Sequence, residues 1–169
     1  DLMTLSSAVA CTVDERVAAH LEVGGIVEDV AGLAADVAEV AGKTLTVAVR
    51  PAGEVRIEAD ALRQVLGILL DNALKYTVAG DSVAVRCEER GARVTLSVAD
   101  TGCGIDPADR GRVFERFYRA DTARTTPGSG LGLSIARALV EHAGGVVAIE
   151  ANEPRGTCVT VVLPKARAR

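Results

Sequence analysis

The chain has 169 residues, of which 49% are hydrophobic and 25% charged, with a formal net charge of -4 and only 2% aromatic residues. This length and balance predict one globular domain, or one domain with a short leading tail. The scarcity of aromatic residues and the negative charge argue against nucleic-acid binding by base stacking and against a surface for anionic membranes.

The first part of the chain alternates helical and extended patterns. Residues 1–23 are loosely helical, and Gly24-Gly25 interrupts that pattern. Apolar residues then recur at helical spacing from Ile26 to Ala41, which predicts an amphipathic helix. The β-branched segments Thr44–Val49 and Val55–Ala59 predict two strands.

The second part contains two further helices separated by a long irregular segment. Asp60 is a natural N-cap for a helix that reaches about Tyr76. Residues 100–130 are rich in glycine and arginine and show little periodicity, so they are either functional or disordered. The other predicted elements are a hairpin of strands Ser82–Glu89 and Arg93–Ala99, a helix from Leu131 to Gly144-Gly145, and strands Val146–Ala151 and Thr157–Leu163.

This order of elements favours an α+β fold with the helices on one face of a mixed sheet. No apolar run has the length of a membrane span, and the first residues do not resemble a signal peptide. Any membrane anchor of the parent protein is therefore expected outside this chain.

The cysteines and histidines lack the spacing of a zinc site or a disulfide framework. We therefore expect reduced thiols in or near the core of a cytosolic protein. The cysteines are Cys11, Cys87, Cys103 and Cys158, and the histidines are His20 and His142.

The segment Asp71–Tyr76 could contact a metal and a phosphate. Asn72 and Lys75 lie three residues apart and share one face of the predicted helix. A carboxamide oxygen can ligate Mg²⁺, and an ammonium can neutralise a phosphate. Taken alone, this segment is explained better as a solvated helix end.

The segment Asp100–Ile105 follows a predicted strand directly. A carboxylate at a strand end can accept a hydrogen bond from an exocyclic amine such as that of adenine. Gly102 and Gly104 would let the backbone approach a ligand closely. A tight turn with an aspartate as turn former is the alternative.

The segment Gly128–Leu133 opens a predicted helix. Glycines at a helix N-terminus expose backbone N–H groups, and the helix dipole favours an anion there, so the segment predicts a phosphate cradle. It lacks the Lys-Ser or Lys-Thr of the phosphate-binding loop of other nucleotide hydrolases. No strand leads directly into it, which disfavours a dinucleotide-binding fold.

Together with Val113–Arg119, these segments resemble the N, G1, F and G2 boxes of bacterial sensor histidine kinases, in the same order. Those kinases belong to the GHKL group, with DNA gyrase, the mismatch-repair ATPases and the large heat-shock chaperone. The match runs from about Leu62 to Pro164, and the F box distinguishes histidine kinases from the other members. The resemblance implies a two-layer α/β sandwich, with a mostly antiparallel sheet of about five strands on three helices and a mobile ATP lid.

The resemblance also assigns roles to individual residues. Asn72 matches a Mg²⁺ ligand, Lys75 a phosphate contact, and Asp100 the aspartate that recognises the adenine amino group. Catalytic roles are implied for Asn72, Lys75, Arg119 and Arg124, the two arginines by approaching the phosphates from the lid. The implied nucleotide-binding residues are Asn72, Lys75, Tyr76, Asp100, Gly102, Gly104, Ile105, Phe117, Gly128, Gly130, Leu131, Gly132, Leu133 and Thr157.

Two departures from the family pattern matter. Ile68 replaces a second asparagine one turn before Asn72, where other GHKL enzymes place a catalytic glutamate, so ATP hydrolysis by that route is disfavoured. The phosphoacceptor pattern of a His, an acidic residue and a Pro is missing, since neither His20 nor His142 fits it.

The resemblance therefore implies a catalytic domain that binds Mg-ATP under a lid spanning roughly Asp106 to Gly128. It passes the γ-phosphate to a histidine on a separate dimerisation hairpin, and a response regulator is the indirect partner. Residues 24–165 are expected to form this domain, with 1–23 as the possible end of the hairpin and 166–169 as a tail. The chain alone is expected to be monomeric, and the domain cytoplasmic in a protein anchored in the inner membrane.

Two rival functions remain open. One is a regulatory or interaction module that binds ATP with weak or no phosphotransfer, which Ile68 supports. The other is a serine kinase of the anti-sigma type, which the F box at Phe114–Arg119 argues against.

Overall fold

A computed structural model describes residues 22–120 and 127–166. The described chain forms three helices and one five-stranded sheet. The helices are α1 (Val23–Val40), α2 (Ala59–Lys75) and α3 (Gly132–His142), and the strands are β1 (Thr44–Val49), β2 (Ser82–Arg90), β3 (Arg93–Asp100), β4 (Val146–Ala151) and β5 (Thr157–Pro164).

The strands lie in the order β1-β2-β3-β5-β4. β1 pairs with β2 in parallel through the crossover helix α2, and the other three pairs are antiparallel. β3 ends and β5 begins at the same edge of the sheet, because Ala99 pairs with Cys158. That edge therefore brings together Asp100 and Thr157, two of the predicted site residues.

The core lies between the sheet and the helix layer. β3 after Arg93 and β5 before Pro164 alternate buried and half-buried residues, as expected for a sheet covered on one face. α2 lies between α1 and α3 and contributes Leu62, Leu66 and Leu69, each at most 2% exposed. The predicted two-layer α+β sandwich, mixed and mostly antiparallel, is confirmed.

The prediction of a strand at Val55–Ala59 is wrong. Only one bridge forms there, between Val55 and Lys165, and α2 already begins at Ala59. Val55 and Ile57 are buried in alternation, which imitates a strand, but too few residues remain before the helix for a strand to pair. The helix N-cap is Glu58, in extended conformation, so Asp60 lies in the first turn rather than at the cap.

The first helix starts earlier than predicted. Gly24 and Gly25 lie inside α1, and a Cβ added at Gly24 would lie 3.2 Å from Val49 Cγ1. The glycine permits close packing of the helix on β1 instead of ending a helix. Residues 1–21, which make up most of the predicted leading segment 1–23, lie outside the described residues, whereas Val23 already belongs to α1.

The expectation that the cysteines lie in or near the core is correct for Cys87, which is buried, and for the half-buried Cys158. It is wrong for Cys103, which is exposed, and Cys11 lies outside the described residues. None of the described helices combines the length and the hydropathy that crossing a membrane requires.

Candidate functional site

A cavity of about 280 Å³ lies between α2, the N-terminal end of α3, and the end of the sheet where β3 finishes at Asp100 and β5 begins at Thr157. Its walls hold residues from all four sequence boxes, which are separated by up to about 60 positions along the chain. The predicted site residues in its walls are Asn72, Lys75, Tyr76, Asp100, Gly104, Ile105, Arg119, Gly128, Gly130, Gly132, Leu133 and Thr157.

Four predicted residues do not line this cavity within the described structure. Gly102 lies behind the wall, where it supports Asp100, and Leu131 is the N-cap of α3. Phe117 is 71% exposed and lies outside the wall. Arg124 lies outside the described residues.

Asp100 is the buried carboxylate of the cavity, only 6% exposed. Its Oδ1 accepts hydrogen bonds from the backbone N–H groups of Gly102 at 2.9 Å and Thr157 at 3.3 Å. Burial raises the pKa of Asp100 above its usual value, and these two hydrogen bonds offset part of the rise. Both protein hydrogen bonds described for the side chain end on Oδ1, so Oδ2 remains available to a ligand.

Two glycines allow the backbone to close around Asp100. A Cβ on Gly102 would lie 2.1 Å from the carbonyl oxygen of Tyr76, and one on Gly156 would lie 1.9 Å from the carbonyl oxygen of Asp100. Gly156 also has a φ of 114°, which disfavours any side chain. The loops at this edge therefore pack at a distance that only glycine permits.

The end of α2 forms the second wall. Asn72 and Lys75 line the cavity, and Ile68, one turn earlier, also faces it. A Cβ on Gly128 would lie 2.9 Å from Lys75 Nζ, so the ammonium lies beside the glycine segment that precedes α3. Burial raises the pKa of the Tyr76 hydroxyl, and the nearby Arg119 opposes that rise.

The N-terminus of α3 forms the third wall. The N-cap residue Leu131 offers no side-chain cap, and the first turn holds no acidic residue. Gly130 adopts a φ of 71° and Gly132 opens the helix, and both line the cavity, so neither has a Cβ of its own beside its backbone N–H. The positive end of the helix dipole, with Lys75 nearby, makes this wall suitable for an anion.

The F-box segment joins the site through its backbone. The N–H of Phe117 donates to the carbonyl oxygen of Gly130 at 3.0 Å, and Phe117 itself has a φ of 63°. Tyr118 donates from its hydroxyl to Asp109 at 2.5 Å, and the Arg112 guanidinium lies 4.3 Å from the centre of its ring. The first contact ties the segment to the glycines before α3, and the other two hold residues 109–118 together.

The sequence patterns did not identify the apolar floor of the cavity. Val98, Val159 and Ile149 lie in one row across β3, β5 and β4, because Val98 pairs with Val159 and Val159 with Ile149. Each belongs to an alternating strand, so the sequence predicts its burial but not its neighbours. A flat apolar row beside a carboxylate suits a planar, partly polar group such as a purine.

Metal-binding groups are sparse in the described structure. Within residues 22–120 and 127–166, no group of three or more His, Cys, Asp or Glu side chains could hold a metal ion. Mg²⁺ commonly takes one or two protein oxygen ligands and completes its shell with water and substrate phosphates. Asn72, in the wall between Lys75 and Ile68, fits that kind of site as the protein ligand.

The chain is similar to a protein described as a sensor protein and to solved structures that include a sensor histidine kinase. The chain is 41% identical over 110 residues to the sensor protein SrrB of Staphylococcus aureus, which covers 64% of this chain and 19% of SrrB. It therefore spans about a fifth of the length of this relative. The mycobacterial sensor histidine kinase MprB superposes with a TM-score of 0.79 at 30% identity, covering 89% of this chain and 100% of that structure.

A second solved structure, full-length ShkA in complex with AMPPNP, matches with a TM-score of 0.76 at 32% identity, over 89% of this chain and 32% of ShkA. The sequence profile described as "Histidine kinase-, DNA gyrase B-, and HSP90-like ATPase" matches residues 57–167. The chain thus belongs to this ATPase family and is an ATP-binding catalytic domain of the sensor histidine kinase type.

Proposed function

We propose that this domain binds Mg-ATP in the cavity and donates the γ-phosphate to a histidine on a separate dimerisation domain, in two-component signal transduction. One observation carries the proposal: a buried carboxylate and an uncapped helix N-terminus lie in the walls of the same cavity. The first suits a base with an exocyclic amine, and the second suits a phosphate chain.

Adenine binds at the sheet edge in this proposal. Asp100 accepts a hydrogen bond from the adenine amino group, and its position is set by the N–H groups of Gly102 and Thr157. The apolar row of Val98, Val159 and Ile149 covers the face of the base. A base with a carbonyl in place of the amine would put two acceptors together, so the site selects adenine.

The phosphates extend towards α3 in this proposal. Lys75 and the backbone N–H groups of Gly130 and Gly132 neutralise the negative charge there. Arg119 also lines the cavity, and in this proposal it contacts the terminal phosphate. Asn72 would hold Mg²⁺, which supplies charge neutralisation across the phosphate oxygens when it is bound.

The described residues favour phosphoryl transfer over hydrolysis. Ile68 faces the cavity one turn before Asn72, and its side chain cannot orient or deprotonate a water molecule. The reaction breaks the bond between the γ-phosphorus and the bridging oxygen and forms a phosphorus–nitrogen bond to the acceptor imidazole, with ADP as the leaving group. His142 is exposed on α3 and does not line the cavity, so we infer that the acceptor belongs to another domain.

The wider organisation is also a proposal. We infer that residues 24–165 form the ATP-binding domain, with residues 1–23 leading from a phosphoacceptor hairpin and 166–169 as a tail. The partners are then that hairpin and, indirectly, a response regulator. The domain works on the cytoplasmic side of a protein anchored by upstream segments, and this chain alone is monomeric.

Mixing this domain with a separate acceptor hairpin and γ-labelled ATP tests the proposal. Acid-labile, base-stable label on a histidine of the hairpin supports it. The Asn72→Ala variant should lose the Mg²⁺-dependent part of ATP binding, whereas Arg90→Ala, in a surface ion pair at the far hairpin, should bind normally. Undiminished binding by Asn72→Ala overturns the metal assignment.

The alternative is a module that binds ATP and regulates a partner with weak or no phosphotransfer. Ile68 favours it, because an apolar side chain replaces a possible second ligand near the metal. Tight ATP binding without label on a cognate hairpin would establish this alternative.

A further inference from the structure

Asp81 is a buried carboxylate that does not line the cavity in the described structure. Its side chain is 8% exposed, and it lies between the loop after α2 and the start of β2. It contacts three separate segments of chain. Each of these segments also carries a residue of the nucleotide site.

The contacts of Asp81 use both carboxylate oxygens. Oδ2 accepts the backbone N–H of Val78 at 2.9 Å, which fixes the loop that follows Tyr76. Oδ1 accepts the Arg155 guanidinium at 2.6 Å and the Thr101 hydroxyl at 3.4 Å. The ion pair of Asp81 with Arg155 thus joins two residues that are 74 positions apart in the sequence.

Arg155 makes a second bond that closes the arrangement. Its Nε donates at 2.9 Å to the carbonyl oxygen of Thr101, which directly follows Asp100. In the same turn, Asn152 donates from Nδ2 to the carbonyl oxygen of Asp100 at 2.8 Å. Thr101 is also held to Ser82 by hydrogen bonds in both directions, at 2.9 and 3.0 Å.

We propose that Arg155 and Asp81 are a positioning pair that fixes the Asp100 carboxylate and thereby sets the selectivity of the site for the 6-amino group of a purine. Neither residue of the pair lines the cavity. It joins the turn before Thr157 to the backbone after Asp100, so the carboxylate cannot tilt away from the base. This proposal rests on the proposed function, in which Asp100 binds adenine.

The direction of the effect follows from hydrogen-bond geometry. A hydrogen bond to a carboxylate weakens steeply as its angle departs from linearity, whereas contact with the apolar floor tolerates small shifts. Loss of Arg155 frees the Thr101 carbonyl and leaves the buried Asp81 without its counter-charge. The amino-group bond is therefore lost before the general affinity for the nucleotide.

The test compares ATP with purine riboside triphosphate, which lacks only the 6-amino group. Calorimetric titration gives the ratio of the two dissociation constants, which isolates the bond to Asp100. In the wild-type chain this ratio should be about 10 or more, the value of one hydrogen bond to a charged group. In Arg155→Ala it should fall below about 3, and Arg155→Lys should be intermediate because it keeps the charge without the fork.

The controls separate positioning from a purely structural role. Arg90→Ala removes an ion pair of the same 2.6 Å length at the opposite end of β2 and should leave the ratio unchanged. The Arg155 side chain is 62% exposed, so its removal should leave the domain folded. The Asp81→Asn variant removes the other charge of the pair and should reduce the ratio in the same way. A lower affinity for both nucleotides with the wild-type ratio preserved would overturn the positioning role.

The test also distinguishes failure of this proposal from failure of the proposed function. If the wild-type chain binds both nucleotides equally, Asp100 does not recognise the amino group, and both proposals fall. If the wild-type chain discriminates and Arg155→Ala discriminates equally well, only the positioning pair is refuted.

Discussion

Replacing Asp100 with asparagine should weaken ATP binding without weakening the fold. The carboxamide keeps the shape of the side chain, and its oxygen can still accept from Gly102 and Thr157. Its NH₂ group then takes the place of Oδ2 and faces the amino group of adenine, donor against donor. The loss of one charge-assisted hydrogen bond is worth about 1.5–3 kcal/mol, so the dissociation constant should rise about 10- to 150-fold.

The same substitution should leave the thermal stability of the folded chain unchanged or raise it, although it weakens ATP binding. Burial raises the pKa of Asp100 above its value in the unfolded chain, so the folded chain binds this proton more tightly. Ionisation of Asp100 therefore costs folding free energy, and that cost appears as the pH rises through the raised pKa. At neutral pH the Asp100→Asn chain should melt at the same temperature as the wild-type chain or higher, and its advantage should vanish at acidic pH.

Calorimetric titration with ATP and thermal melts of both chains, at neutral and acidic pH, measure the two effects. The matched control is Asp36→Asn, a change of the same chemistry at an exposed position of α1 that does not line the cavity. Binding by Asp100→Asn within twofold of the wild-type chain would refute adenine recognition by this carboxylate. A large fall in its melting temperature at neutral pH would refute the burial argument.

The remaining predictions concern the backbone, the metal and the thiols. Gly156→Ala should destabilise the fold by more than about 2 kcal/mol and abolish nucleotide binding, while Gly67→Ala, with open space around it, should raise the melting temperature slightly. Ile68→Asn should increase the Mg²⁺ dependence of ATP affinity, and an unchanged dependence contradicts the metal assignment. Cys103 is exposed and lines the cavity, so it should react with iodoacetamide near pH 8 and be protected by ATP. Cys87, whose pKa burial raises to about 11, should stay unmodified.

Most of the fold could be predicted from the sequence because its elements have regular periodicity. β3 and β5 alternate strictly, and α2 carries its apolar residues on one face, so their types follow from pattern alone. The exceptions arise where tertiary packing overrides a local signal. Gly24 lies inside a helix because β1 approaches it closely, and Val55 is buried although it forms only a single bridge, to Lys165.

The site could be predicted only as far as its motifs extend. Asp100, Asn72 and the glycines before α3 have short-range patterns that indicate chemistry. The row of Val98, Val159 and Ile149, and the pair of Arg155 with Asp81, depend on register and on contacts between distant segments. No local sequence pattern indicates these residues, because their role depends on the distant residues that the fold brings into contact with them.

The close contact of Gly24 with Val49 joins the start of α1 to the sheet that carries the cavity. Val49 pairs with Cys87 and Cys87 with Leu96, so Val49, on which the start of α1 packs, lies two strands across and four residues along from Asp100. Strand geometry makes that separation about 16 Å. A rotation of about 10° about this contact moves the cavity by about 3 Å. Reacting atoms must approach to about 3–3.5 Å, so a displacement of this size separates a productive arrangement from an unproductive one. Under the proposed function, a rotation applied where Gly24 packs on Val49 would therefore change the distance between the bound phosphate and its acceptor.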